Sequence, residues 1–148
     1  MSSAVYANAK LLMATDSLGW VSPSVVFRGL LVGSVYAFNH VQTTVADILG
    51  FEVSGGTYQR VNIVNRSAQL DLPGNRALCR ADSVVFPLLS GVSAAPSGLI
   101  IYKQIGGSDV TPGDDPLICF IDFPTTPPTG VNYVIEFDPN GVFALTQC

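Results

Sequence analysis

Three apolar runs, at 117–123, 131–137 and 142–146, follow one another with only turn-forming residues between them. They commit the chain to a β-sheet fold. In the second run Val131, Tyr133, Ile135 and Phe137 share one face while Asn132 and Glu136 take the other. That is the period-two alternation of a strand buried on one side. The first run is apolar on both faces apart from Asp122, as expected of a strand covered on both sides by packed sheets or by a neighbouring subunit. Asp138-Pro139-Asn140-Gly141 separates the last two runs. Pro presets φ for a turn and Gly accepts positive φ, so those two strands are predicted to close as a hairpin.

The 148 residues suit a single β-rich domain over 1–148 that buries a substantial core without a metal or disulfide staple. Only 12% of residues are charged, against 48% hydrophobic, with a mean hydropathy of +0.41. So few charges leave two readings, a monomer surfaced with Ser, Thr, Gly, Pro and Asn or a subunit that hides much of its exterior against copies of itself or a larger assembly, and scarce charge favours the second. A net charge of −4 and a pI near 4.6 argue against binding a phosphate backbone. Arg60, Arg66, Arg76 and Arg80 could form one basic patch if their strands pair, but they read better as ion pairs and guarded strand edges. No stretch is long and apolar enough to span a bilayer, and no basic-then-apolar leader opens the chain, so the expectation is a soluble protein made in the cytoplasm.

The three cysteines, Cys79, Cys119 and Cys148, are far apart and odd in number, which is not a disulfide framework. Cys119 reads as a small buried hydrophobe, and Cys148 has no activating neighbour. No Cys or His pair has metal-ligand spacing.

From the start of the chain, Ser2 and Ser3 can cap a helix in which Val5, Ala9, Leu12 and Met13 recur at helical spacing. Residues 1–22 are read as an N-terminal helix or arm, with Val5, Leu12 and Trp20 available to dock on a neighbour. A second short helix is predicted over 39–49, capped by Asn39 and stopped by Gly50. Strands are predicted at 25–32, 57–64, 67–72, 77–80, 84–86 and 99–105, with Pro87 ending its strand or marking an edge. The fold class that follows is mainly β: an antiparallel β-sandwich or barrel, jelly-roll-like, with one or two short helices near the N-terminus.

The loops carry no chemistry with a complete set of partners. Residues 90–98 are small and polar, and a Ser nucleophile there would need a histidine partner, whereas the single histidine, His40, lies in the helical loop. The stretch 106–116 holds Asp109, Asp114 and Asp115 among Gly and Pro; hard oxygens on such a loop suit calcium, but the spacing is not that of an EF-hand. The expectation is a solvent-facing turn over 109–115 without a metal needed for folding. Asp114 and Asp115 on a turn point apart and make no acid/base pair. No catalytic, cofactor-binding or metal-binding residue is assigned, and the chain is read as a non-enzyme.

The order of segments at 6–12, 25–32, 36–40, 45–48, 52–58, 100–103 and 115–123 resembles small structural proteins of tailed bacteriophages. Tyr36-Ala37-Phe38-Asn39-His40, Gly55-Gly56-Thr57-Tyr58 and Asp115-Pro116-Leu117-Ile118-Cys119-Phe120 are among the residues that carry it. The resemblance implies a multimeric accessory component on the capsid exterior, a decoration or cement protein. Its partners would be the major capsid protein and further copies of itself, a trimer foremost, with neither nucleic acid nor membrane. The alternative is a tail or fibre component that recognises a host-surface receptor.

Overall fold

The computed structural model describes residues 2–123, 131–138 and 141–145. Its elements are β1 (Ser2–Val5), α1 (Ala7–Ala14), β2 (Val26–Gly33), β3 (Val61–Asn62), β4 (Ser67–Asp71), β5 (Arg76–Arg80), β6 (Val84–Leu89), β7 (Pro96–Gln104), β8 (Leu117–Asp122), β9 (Val131–Ile135) and β10 (Phe143–Leu145). The protein is mainly β, every strand pair among the described residues is antiparallel, and its layers stack in a sandwich-like manner.

A five-stranded sheet in the order β1-β8-β7-β2-β3 forms the middle layer. Its strands are apolar on both faces because both are covered. One face carries Phe27, Leu31, Leu99, Ile101, Cys119 and Ile121 into a core shared with Cys79, Val84, Phe86, Ile135 and Phe143 of the two smaller sheets, β10-β5-β4 and β6-β9. The other face carries Leu30, Val32, Ile100, Tyr102, Leu117 and Phe120 against Tyr36, Val45 and Ile48 of the long 34–60 crossover. A register shift where Ile101 faces Cys119 but Tyr102 faces Leu117 makes Ile118 the extra residue of a β-bulge. That bulge puts Ile118 and Cys119 in the same core layer. Gly98 is required on β7, since a Cβ there would lie 2.3 Å from the Phe120 ring.

Several expected elements take another form. The first residues extend as β1, pairing Ser2 with Asp122 through Val5 with Cys119, and the helix starts only at Ala7 with Tyr6 as its N-cap. Strand pairing with a sheet that lacked an edge partner outweighs an eight-residue helix whose apolar spacing is its main support. Residues 2–22 are no free arm: Tyr6, Ala9, Leu18 and Trp20 are buried in the protein's own cores. The helix predicted over 39–49 is instead two single 3₁₀ turns, Val45–Asp47 and Leu49–Phe51. Thr44 caps the first of them, and Asp47 accepts from the backbone N–H groups of Thr43 (2.9 Å) and Thr44 (3.2 Å).

The strand predicted over 57–64 shrinks to two residues, because Tyr58 and Arg60 leave the sheet to make polar contacts. The predicted terminal hairpin does not form. A 2.7 Å turn bond joins Gly141 N–H to the Asp138 carbonyl, but β9 pairs with β6 and β10 with β5, so the chain changes sheets across it. Pro87 lies inside β6, an edge strand, where the register shifts between Phe86 and Leu89.

Candidate functional site

Beyond the aromatic end of the second core, the five-stranded sheet carries a row of polar groups. Arg28 on β2 and Tyr102 on β7 are register partners and so share a face, with Gln104 two residues further on. The 34–60 crossover lays Glu52, Tyr58 and Arg60 beside them. Arg60 grips Glu52 bidentately, Nε to Oε1 and Nη2 to Oε2, both at 2.7 Å. Its Nη1 donates to the Tyr102 hydroxyl at 3.1 Å, and that hydroxyl donates to Asp109 Oδ1 at 2.6 Å. Gln104 Nε2 donates to the same oxygen at 2.8 Å, and Arg28 Nη1 pairs with Oδ2. The Tyr58 hydroxyl donates to Glu52 Oε1 at 2.7 Å and accepts from the Leu31 N–H at 3.1 Å, tying the crossover to β2.

These neighbours set the protonation states. Burial pushes the Asp109 carboxyl up, but the Tyr102 and Gln104 hydrogen bonds and the Arg28 and Arg60 charges outweigh it, and the net pKa is lowered. Hydrogen bonding to Glu52 holds Arg60 charged more firmly than usual. Burial raises Tyr58 and Tyr102 above the ordinary phenol range, so both stay protonated. Asp115 differs. It is fully buried, Oδ1 accepts from the Ile105 N–H at 2.8 Å, Oδ2 has no partner among the described residues, and burial raises its pKa. The expectation of a solvent-facing turn over 109–115 is thus corrected: Asp114 is exposed, but Asp109 is ion-paired and Asp115 is interior. Arg28, Tyr102 and Gln104 on the sheet, with Arg60 of the crossover beside them, draw Asp109 inward as their counter-charge.

A second feature lies on the opposite layer. Ala68 and Leu70 of β4 face the same way as their partners Cys79 and Ala77, and Cys79 with Phe143 fills the first core. Yet Leu70 is 66% exposed, and Leu72 in the following turn 75%. The core-facing side of the β4–β5 hairpin therefore extends past the core into solvent. An ion pair of Asp71 Oδ2 with Arg76 Nε at 2.7 Å braces the turn. Among the described residues β4 is an edge strand with neither Pro nor Lys and no bulge against β5, its one charge, Asp71, standing at its end.

The other singled-out residues do not converge. The four arginines form no basic patch: Arg60 binds Glu52, Arg76 binds Asp71, and Arg66 lies 4.7 Å from the Phe27 ring centroid while donating to the carbonyls of Ser22 and Val25. Arg80 borders a small groove with Phe137 and Gly141. His40 is exposed on the crossover, far in role from the 90–98 loop, which instead packs its backbone on Gly55 and Gly56. Cys79 and Cys119 are buried thiols, that of Cys79 pushed up to about 11 by burial; Cys148 lies outside the described residues. Among the described residues no group of His, Cys, Asp and Glu could hold a metal ion, and no helix is long and apolar enough to cross a membrane. No family model, curated protein or solved structure matches the chain.

Proposed function

We propose that the chain is a virion structural subunit of a tailed bacteriophage. It decorates the capsid exterior, contacts the major capsid protein and clusters as a homo-oligomer, foremost a trimer. The observation that carries this reading is the apolar overhang of the β4–β5 hairpin, Leu70 and Leu72, on a chain with only 12% charged residues. Such a ledge gives each copy a modest apolar contact, and repetition over a symmetric shell multiplies it. The ordered segments that resemble phage structural proteins point the same way. Cementing needs shape and contact area, not an activated nucleophile, and Arg28, Glu52, Arg60, Tyr102 and Asp109 are bonded to one another.

The test is co-sedimentation of purified protein with heads that lack it, followed by heat and osmotic shock. Wild-type protein should bind and protect, while Leu70→Ser with Leu72→Ser should bind weakly. If the protein maps to the tail tip, or if heads without it survive as well as complete ones, the tail or fibre reading takes over.

A further inference from the structure

The segment 106–110 is held to the sheet by one side chain. Gly106 and Gly107 have φ of 78° and 75°, and nothing lies within 4 Å of where a Cβ would sit on either. Apolar anchoring is missing too, since Ile105 is 40% exposed and Val110 82%. Among the described residues, every side-chain hydrogen bond from 106–110 to the sheet runs through the Asp109 carboxylate.

Of the groups that receive Asp109, Arg28, Tyr102 and Gln104 stand on β2 and β7 and Arg60 on the crossover, and Arg28, Arg60 and Tyr102 are also held by contacts with one another or with Glu52. Glu52 fixes Arg60, the Arg60 carbonyl accepts from Arg28 Nη2 at 2.9 Å, and Arg60 Nη1 holds the Tyr102 hydroxyl. Arg60 Nη1 is itself 3.7 Å from Asp109 Oδ1. Without Asp109, two guanidiniums, a phenol and an amide would line one site, with Glu52 paired to Arg60 and no other carboxylate among the described residues paired to Arg28. A planar, charged oxygen pair fits such donors: guanidinium N–H groups and an O–H give short, charge-assisted hydrogen bonds to a carboxylate. The site is reachable, with the Arg28 side chain 23% and the Asp109 side chain 27% exposed.

We infer that Arg28, Arg60, Tyr102 and Gln104 form a carboxylate-binding site that Asp109 occupies as a tethered ligand, and that the 106–110 segment swings away at Gly106 and Gly107 to admit an aspartate or glutamate of a neighbouring protein. A short tether gives Asp109 an effective concentration on the order of millimolar or above, so a dilute free carboxylate does not displace it. A side chain presented by a docked partner competes on equal terms. The inference concerns this cluster alone and stands apart from the virion reading.

Thermal melts of the full chain carrying Asp109→Ala, titrated with sodium acetate against sodium chloride at equal ionic strength, test it. Acetate should raise the Asp109→Ala midpoint saturably, because a ligand of the native state stabilises it. Wild type, whose site is filled, and Asp109→Ala with Arg28→Met, whose site is broken, should not respond. Asp109→Asn, which fills the space with an amide, should not respond either. A blocked Gly-Asp-Gly peptide run beside acetate separates the sources: tighter binding of the peptide marks a protein side chain, tighter binding of acetate a free carboxylate and the loss of the partner clause. If Asp109→Ala is unfolded in chloride, the same titration reads recovery of the far-ultraviolet circular dichroism. No acetate-specific effect on Asp109→Ala, or an equal effect on Asp109→Asn, overturns the site.

Discussion

Replacing Tyr58 with Phe removes one oxygen atom and leaves the ring stacked on Phe86, 6.1 Å between centroids. That oxygen does two things: it accepts from the Leu31 N–H at 3.1 Å and donates to Glu52 at 2.7 Å. Leu31 is fully buried in β2, so its N–H would be orphaned, at a cost of about 1–3 kcal/mol. Glu52 keeps both Arg60 contacts, so the lost bond to its carboxylate adds about 1 kcal/mol, below the usual range for charged acceptors. Tyr58→Phe should therefore destabilise by about 2–4 kcal/mol, read from urea midpoints at an unchanged slope. A cost under about 0.5 kcal/mol would mean that the Leu31 N–H finds another acceptor and that the hydroxyl does not bind the crossover to the sheet.

Ile121 is 4% exposed in the first core, so Ile121→Ala should cost about 2–5 kcal/mol in chemical denaturation, through lost transfer energy plus a cavity. Burial holds the folded pKa of Asp115 above the usual carboxylate value of about 3.8, so its ionisation costs stability as pH rises from there. Stability curves of wild type and Asp115→Asn should diverge from acid toward neutral pH in the variant's favour; parallel curves would show that Asp115 is not buried. Asp109 has the opposite sign: its contribution is present above 3.8 and is lost as pH falls through its lowered folded pKa. Leu70→Ser with Leu72→Ser should leave the melting midpoint of isolated protein nearly unchanged while lowering its self-association in analytical ultracentrifugation, because both side chains are already in water.

The strands were legible because burial writes itself into composition: the run at 117–122 is apolar on both faces, and both faces of β8 are covered. Alternation was equally faithful in β9, where Ile135 is buried and Val134 exposed. Pairing was not legible. Pro139 and Gly141 announce a turn, but a turn residue does not say whether the chain returns beside its last strand or crosses to another sheet. The N-terminal residues misled for a similar reason, since the open edge of β8 that recruits Ser2–Val5 lies more than a hundred residues away. The polar cluster was not legible because its members, Arg28, Glu52, Tyr58, Arg60, Tyr102, Gln104 and Asp109, come from well-separated stretches of the chain. One signal was present: Arg60 and Tyr58 interrupt an otherwise acceptable strand, and Asp115 precedes the most apolar run in the chain.

The strand order also dictates when this protein can begin to fold. β2 lies between β7 and β3, and its pairing runs from Val26 with Gln104 to Gly33 with Pro96. A ribosome working at about 5–20 residues per second needs on the order of 4–16 s to deliver Gln104 after Val26. During that interval β2 has only the two-residue β3 to pair with, and β1 waits longer still, until Asp122 has emerged. The nascent chain thus carries unpaired, strongly apolar segments through most of its synthesis. Yield of native protein should depend on chaperone supply and on growth temperature more than its final stability would suggest.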